Sequence, residues 1–301
     1  MTRLVLKRLA YATVTLLGVL LVVFVALRLS GNPAPLLAPE GATREQIAEL
    51  SRQLGFDQSY GVQFAAYLGG LLQFDLGQSI VQRLPVADIL MSRLPYSLAL
   101  SGCALALAVA GGITLGLIGV AVKGAVPQAL LSGFVLAAQS LPTFLTGLLL
   151  IMVFSVHLGW LPSSGAGTPS SVLMPALALG AYSMAIIARI TMTSLQEEMS
   201  KDYVRACRAR GLSHGRILFA HGLRNAAPTV IALIALEAGN LLAGTLVVET
   251  VFAWPGIGQL LLQSVQARDY PVAQAVVLVV AVAYVGANLL ADLAQMALNP
   301  Q

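Results

Sequence analysis

The sequence has little charge for its length. Only 10% of its 301 residues are Asp, Glu, Lys or Arg, and 57% are hydrophobic. Soluble domains carry about 25% charged and roughly 45–50% apolar residues, so this composition excludes an ordinary water-soluble protein. The net charge of +4 does not indicate nucleic acid binding, because the positive charges gather at the ends of apolar runs. The sequence therefore predicts an integral membrane protein surrounded mostly by lipid.

Residues that commonly carry chemistry are also scarce. The two cysteines, Cys103 and Cys207, are too few for a disulfide framework or a zinc site. The three histidines, His157, His214 and His221, are scattered and lack metal-ligand spacing. The sequence contains no G-x-x-x-x-G-K-[ST] motif, so we expect no ATP hydrolysis by this chain. We predict no catalytic residue, no bound metal and no cofactor of its own.

Long apolar runs define the architecture, because each has at least the roughly 20 residues with which a helix crosses a bilayer. They cover residues 9–29, 96–122, 127–158, 172–193, 228–248 and 272–298. We therefore predict an all-α polytopic membrane protein, one transmembrane domain over residues 1–301 with six spanning helices. Pro142 should kink the third helix and expose Gln139 and Ser140 at membrane depth. Such a kink serves either helix packing or a transport pathway, and the sequence leaves both open.

The one long polar segment, residues 30–95, lies between the first two predicted spans. Thr43 is placed to cap an amphipathic helix over 44–54, which Gly55 ends, and a second amphipathic helix follows over 60–74. Its acidic and basic residues are roughly balanced, which suits the outer side of a membrane. We predict a helical extracytoplasmic segment.

A dense basic stretch, residues 199–228, separates the fourth and fifth predicted spans. Its six basic residues are Lys201, Arg205, Arg208, Arg210, Arg216 and Arg224. With Arg3, Lys7, Arg8 and Lys123, they give ten Lys or Arg on the proposed inner side, against five on the outer side. The positive-inside rule then places this stretch and both termini in the cytoplasm. Gly211 should break a first helix and Ser213 cap a second, which makes a compact helical knob running to about Asn225. From charge alone, a loop that touches anionic lipid would explain the stretch as well.

This stretch contains several short residue motifs. It contains Asp202-Tyr203-Val204-Arg205, Arg208-Ala209-Arg210-Gly211-Leu212-Ser213 and His221-Gly222-Leu223-Arg224-Asn225. Three phrases elsewhere are Asp75-Leu76-Gly77-Gln78-Ser79, Arg268-Asp269-Tyr270-Pro271 and a run from Glu249 to Gly258 that reads ETVFAWPGIG. Together they resemble the permease subunits of ABC importers, in the branch that carries dipeptides, oligopeptides or nickel. The general coupling-loop pattern of such permeases is Glu-Ala-Ala, three residues, then Gly; aligned on Gly211, this chain has Arg205-Ala206-Cys207 instead.

The resemblance covers nearly the whole chain and implies a type I ABC importer permease fold in the bacterial inner membrane. It also implies a second homologous permease, two cytoplasmic ATPases that hold ATP and magnesium, and an extracytoplasmic substrate-binding protein. The ATPase-coupling residues it implies are Asp202, Tyr203, Arg205, Ala206, Cys207, Arg208, Arg210, Gly211, Leu212 and Ser213. Short peptides are the expected substrate, and nickel or another metal chelate is the alternative. A secondary transporter or channel without an ATPase is the competing class; the sequence shows no internal symmetry and few membrane-embedded ionisable residues to favour it.

Two acidic residues lie in or beside the fifth predicted span. Glu237 falls near its middle, where a carboxylate must face protein, a polar cavity or a cation. It is either satisfied by a neighbouring helix or, with Asn240, lines the translocation pathway beside Gln139 and Ser140. Glu249 stands at the outer end and is expected mainly to cap or pair locally. With its turn it forms the predicted outer gate: Glu249, Phe252, Trp254, Pro255 and Gly256.

Overall fold

The computed structural model describes residues 2–122 and 124–298, so Met1, Lys123 and the three C-terminal residues lie outside the described residues. Most of the described chain is helical. The helices before Lys123 are α1 (Thr2–Leu29), α2 (Ala34–Leu37), α3 (Arg44–Gln53), α4 (Tyr60–Leu72) and α5 (Val86–Ala121). The next are α6 (Ala125–Ser140), α7 (Thr143–Leu150), α8 (Leu173–Ser200), α9 (Asp202–Ala209) and α10 (His214–Arg216). The last are α11 (Leu223–Ala243), α12 (Thr245–Val251), α13 (Ile257–Gln266) and α14 (Tyr270–Leu298).

Five helical stretches in the described residues are long and apolar enough to cross a membrane. A sixth span results if α6 and α7, with the π-helical turn Ile151–His157 that follows, count as one broken span. The all-helical, six-span prediction is confirmed in this sense. Pro142 does more than kink its helix, because the two halves meet at 107°.

Two helix starts differ from those predicted. We placed the end of the polar segment at Pro95, but α5 already begins at Val86 and runs through that proline. We also placed the start of the fifth span at Pro228, whereas the chain is helical without interruption from His214 to Ala243, through the π-helical turn Ile217–Gly222. Both prolines lie inside helices because a membrane-spanning helix tolerates proline far better than a soluble one does.

Contacts divide the chain into two compact units. The first contains the residues up to Tyr96 together with Pro255–Val282, and the second contains Ser97–Trp254 together with the residues from Ala283 onward. In the first unit, the start of α5 packs against α13 and α14 through an apolar cluster. Its buried members are Val86, Ile89, Leu90, Ile257, Leu260, Val272, Ala275 and Val276. The predicted helices of the polar segment are present here, and Thr43 caps α3 in a capping box with Gln46.

The loop before α14 fastens the first unit together. Asp269 is 3% exposed and accepts hydrogen bonds from the hydroxyl of Ser79 and from the backbone N–H of Ile80. Tyr270 donates to the carbonyl of Gly31 at the end of α1, and an Arg268 guanidinium N–H donates to the carbonyl of Asn32 at 3.2 Å. Two of the sequence phrases quoted above therefore contact each other, and their polar residues serve the packing of this unit.

In the second unit, α8 lies among α6, α7, α11 and α12. It approaches α5 so closely that glycine is needed at the crossing. A Cβ on Gly180 would lie 2.7 Å from the carbonyl oxygen of Ala104, and one on Gly112 would lie 2.7 Å from Ile187. Small residues at helix crossings let backbones approach and increase van der Waals contact, which is the main source of helix association in lipid.

Candidate functional site

The basic stretch folds as a helical knob whose first half is α9. This helix ends in a Schellman motif: Gly211 donates its N–H to the carbonyl of Arg208 at 2.9 Å, and Leu212 donates to that of Cys207 at 3.2 Å. Gly211 has a φ of +78°, a left-handed conformation that glycine adopts without steric cost. The predicted break at Gly211 is therefore confirmed.

The second half of the knob begins at Ser213, as predicted. Its hydroxyl accepts the backbone N–H of Arg216 at 3.4 Å, a helix N-cap interaction. The helix does not stop near Asn225 as we expected, but continues as α11. The second half of the knob is therefore continuous with a spanning helix.

One face of the knob is exposed to solvent. The exposed members of the predicted coupling set are Asp202, Arg205, Ala206, Arg208, Arg210, Gly211 and Ser213. The only ion pair among them joins Arg205 to Asp202 at 3.4 Å, with side chains that are 80% and 93% exposed. Screening by solvent makes such a pair worth little, so these basic groups remain available to an acidic partner.

The other face of the knob is anchored to the protein. Val204 is 1% exposed, and Leu195, Leu218 and Ala226 form a buried cluster that joins α8 to the helix after the knob. Polar contacts reinforce this attachment at the end of α8. Glu198 accepts the Tyr203 hydroxyl at 3.0 Å and the Lys201 ammonium at 2.5 Å. We call this trio the latch.

The two members of the latch that lie outside the spanning helices, Lys201 and Tyr203, have shifted pKa values. Burial raises the pKa of the Tyr203 hydroxyl, and the neighbouring Asn225 amide on α11 opposes that shift. The hydrogen bond to Glu198 raises the pKa of Lys201. Through Glu198 and Asn225, Tyr203 therefore connects α9 to the two helices that flank the knob.

The predicted pathway acid is buried between two helices of the second unit. Glu237 is 5% exposed and accepts the Ser183 hydroxyl of α8 at 2.5 Å and the Asn240 amide at 3.2 Å. The bonds offset part of the cost of burying a carboxylate at this depth. Asn240 itself is exposed, one turn further along α11. The structure thus shows the contact with a neighbouring helix that was one of the two alternatives for Glu237; the other was a place in the translocation pathway.

The other two pathway residues lie beside a pair of cavities. Gln139 lines a cavity of about 270 Å³ between α6 and α8, together with Arg189 and Met192. A second cavity of about 340 Å³ lies next to it and shares the lining residues Leu115 and Val135. Ser140 is exposed and bonds the carbonyl of Leu136 in its own helix at 2.9 Å. Glu237 lines neither cavity, so the structure does not bring the four pathway candidates together.

The predicted gate residues are divided between the two units. Glu249 is fully buried and accepts the Ser97 hydroxyl of α5 at 2.5 Å, so it pairs with a distant helix rather than locally as we expected. Phe252 and Trp254 are buried in the core of the second unit, where the Phe252 carbonyl accepts the N–H of Gly165 at 2.8 Å. Pro255 belongs to the first unit, as does Gly256, which precedes α13.

Comparison with known proteins identifies the family. Residues 1–101 match the model of the N-terminal membrane component of binding-protein-dependent transport systems, and residues 108–301 match the model of the binding-protein-dependent transport system inner membrane component. These two matches cover almost the whole chain. The chain therefore belongs to this family: it is a multi-pass inner membrane permease subunit of an ABC importer, and such a subunit is not itself catalytic.

Relatives and solved structures agree with this assignment. The glutathione transport system permease proteins GsiC of Escherichia coli strain K12 and of Salmonella typhimurium strain LT2 are each 41% identical over 297 residues, which is 98% of this chain and 97% of theirs. The fold resembles that of the methionine ABC transporter MetNI in an inward-facing conformation, with a TM-score of 0.60 at 18% identity over 71% of this chain and 97% of that chain. An amino acid ABC transporter gives a TM-score of 0.56 at 18% identity, over 70% and 94% of the two chains.

Sequence reasoning found the knob but missed what holds it. Glu198, Asn225 and Val204 were not singled out, and neither was Ser183 nor Ser97. A polar residue on a helix gives no sign in the sequence of the distant helix that it will face. Only the spacing of Glu198, five positions before Tyr203, offered a local clue.

Proposed function

We propose that this chain forms half of a translocation pathway for short peptides, and that the knob couples it to an ATPase. The observation that carries the coupling is the knob itself, one bare basic face backed by a face that is bonded to α8 and α11. A knob of this kind fits a groove on a partner and transmits the partner's motion as a rigid body. The peptide substrate is supported by the 41% identity to glutathione permeases over nearly the full length.

The partners follow from the same proposal. A second homologous permease would complete the pathway, two cytoplasmic ATPases would bind ATP and magnesium, and an extracytoplasmic binding protein would deliver substrate. Both termini and the knob would be cytoplasmic, because the basic residues gather there. This chain would need no metal or cofactor. ATP-driven closure of the ATPases would shift the pair of permeases between inward-open and outward-open states.

The pathway residues Glu237, Asn240, Gln139 and Ser140, and the gate over Glu249, Phe252, Trp254, Pro255 and Gly256, belong to this proposal. Glu237→Gln tests the pathway role. The variant keeps an acceptor for Ser183 but loses the charge, so a pathway acid predicts a changed uptake rate or substrate range in a complex that still assembles. Unchanged uptake with an unchanged substrate range would assign Glu237 to helix packing alone.

The coupling role is tested in the reconstituted complex by comparing Gly211→Ala with Gly215→Ala. Space is open around both positions, but only Gly211 has a positive φ. Forcing a side chain into the left-handed conformation costs about 1–2 kcal/mol, so Gly211→Ala should distort the knob while Gly215→Ala should not. We expect binding protein to stimulate ATPase activity normally in Gly215→Ala and weakly in Gly211→Ala. Equal stimulation in both, with the complex intact, would refute coupling through this turn.

The same assay decides the substrate class. Binding protein loaded with a dipeptide or tripeptide, with glutathione or with chelated nickel is added in turn to the unmodified complex. Stimulation by the peptides supports the proposal, and stimulation by nickel alone replaces the peptide with a metal chelate as cargo while leaving the coupling argument intact.

A further inference from the structure

Arg189 is an exposed arginine on a spanning helix without an acidic partner. Within the part of the chain that the structure describes, its guanidinium makes no hydrogen bond or ion pair, although its carbonyl accepts the Thr193 hydroxyl at 3.0 Å. A charged side chain on a membrane helix normally pairs with another group or reaches water, because hydrocarbon does not solvate it. Arg189 must therefore reach water or headgroups, or pair with a group outside the described residues.

The depth of Arg189 indicates where that partner lies. It stands sixteen positions after Leu173, the first residue of α8, which is about 24 Å along a helix with a rise of 1.5 Å per residue. The hydrocarbon core is about 30 Å thick, so a span that enters near Leu173 leaves it about 6 Å beyond Arg189. A long arginine side chain covers that remaining distance and places its charge among the headgroups.

A second polar group close to Arg189 is also without a partner. The side-chain amide nitrogen Nε2 of Gln139 is buried, and no described group accepts a hydrogen bond from it. Gln139 and Arg189 line the same 270 Å³ cavity. An unmade hydrogen bond of a buried amide costs about 1–3 kcal/mol, so an acceptor in this cavity would be stabilised there.

The rest of the lining favours an acyl chain. The two adjoining cavities together follow α8 from Leu177 to Met192, a length of about 22 Å. One leaflet of hydrocarbon is about 15 Å deep, so a single acyl chain fits along this strip. The polar side chains in the two linings are Gln139, Arg189, Ser132 and Thr146, and no carboxylate is among them. A cationic headgroup would find no acidic partner here, whereas a phosphate would find two N–H donors.

We propose that an anionic phospholipid binds in these cavities. Its phosphate lies on Arg189, an ester oxygen accepts the Gln139 amide, and one acyl chain follows α8 between α6, α7 and α5. The site stands on geometry within the second unit and does not depend on the peptide substrate, but it takes Gln139 out of the proposed pathway, because an acyl chain in this cavity excludes the water that a pathway needs. Under the orientation given in the proposed function, on which this one point rests, the lipid would lie in the cytoplasmic leaflet.

The test is native mass spectrometry of the assembled importer after transfer to nanodiscs that contain both phosphatidylglycerol and phosphatidylcholine. The unmodified complex should retain phosphatidylglycerol through detergent washing, and Arg189→Gln should reduce the retained amount at least fivefold. Arg189→Lys keeps the charge and should restore most of it. Arg224→Gln is the matched control, since it removes the same charge from an exposed position on α11 and should retain the lipid.

The mass increment distinguishes an intact phospholipid from inorganic phosphate. Val135→Phe tests whether the acyl chain, and not only the headgroup, contributes to binding. That variant fills the shared wall of the cavities while leaving Arg189 in place, so loss of lipid shows that the acyl chain occupies them. Retention of both lipids equally, or of phosphatidylglycerol in Arg189→Gln, overturns the proposal. The proposal is also overturned if the second permease, without any lipid, protects Val135→Cys from reaction with a maleimide, because the subunit interface would then fill the two cavities. Lipid retention is measured without transport activity. The lipid proposal can therefore be refuted while the proposed ATPase coupling holds, and the coupling can be refuted while lipid binding holds.

Discussion

Removal of one hydroxyl from the latch should loosen the knob by a calculable amount. Tyr203 donates to Glu198 at 3.0 Å, and the Glu198 side chain is only 12% exposed. A hydrogen bond to a charged group contributes about 1.5–3 kcal/mol when buried. Because Tyr203 is half-buried, we take about 1–2 kcal/mol, which corresponds to a factor of about 5–30 in the equilibrium between attached and detached α9.

Hydrogen exchange of the α9 amides measures this equilibrium directly. In Tyr203→Phe, the protection of residues 204–209 in the permease without its ATPases should fall by about 5–30-fold, because the ring remains and only the hydroxyl is lost. Arg205→Gln is the control: it removes an ion pair whose two side chains are 80% and 93% exposed, so its effect should stay below about threefold. Equal protection in Tyr203→Phe and the unmodified chain would refute the latch.

Three further predictions concern the latch and the second unit. The pKa of Lys201 is raised above its usual value of 10.5, so the stabilisation from its contact with Glu198 is fully present below pH 10.5 and is lost only as the pH rises through the higher folded value. The hydrogen-exchange protection of α9, corrected for intrinsic exchange, should therefore be constant between about pH 6 and about pH 9. Gly180→Ala should destabilise the protein by about 1–3 kcal/mol in a thermal size-exclusion assay, since its Cβ would meet the Ala104 carbonyl, whereas Gly102→Ala, with open space, should not. Ser183→Ala should cost a similar amount by removing a bond to a buried carboxylate, and unchanged thermal stability would show that bond to be unimportant.

The features that the sequence predicted are those set by neighbouring residues. A cap at Ser213 or Thr43 and a glycine at the end of α9 act within one turn of chain, so their residue types carry the information. Apolar length likewise predicts a span without reference to any partner. For these reasons the knob and the number of spans could be predicted from the sequence.

The features that could not be predicted depend on residues far apart in the chain or on the lipid environment. Pro95 and Pro228 look like helix boundaries by the rules for soluble proteins, yet both lie inside helices that must satisfy their backbone in lipid. The 107° turn at Pro142 also exceeds what one proline predicts, because the sequence does not say whether a broken helix continues or turns back. Arg189 drew no site prediction from the sequence, and only the cavity beside Gln139 gives it a candidate role.

The two buried carboxylates of the second unit show how a local pattern and a distant contact combine. Glu237 on α11 accepts Ser183 of α8, and Glu249 on α12 accepts Ser97 of α5, each at 2.5 Å. Each carboxylate thus joins two helices that are far apart in the chain, and breaking either bond would leave a charge buried in a poorly solvating interior. The second half of the knob is continuous with α11, which carries Glu237, and α8 carries both Ser183 and Glu198 of the latch. The knob, α8 and α11 therefore form a closed loop of contacts. Under the proposed coupling role, a force on the knob would reach both helices through the part-buried Tyr203–Glu198 bond and the buried Ser183–Glu237 bond.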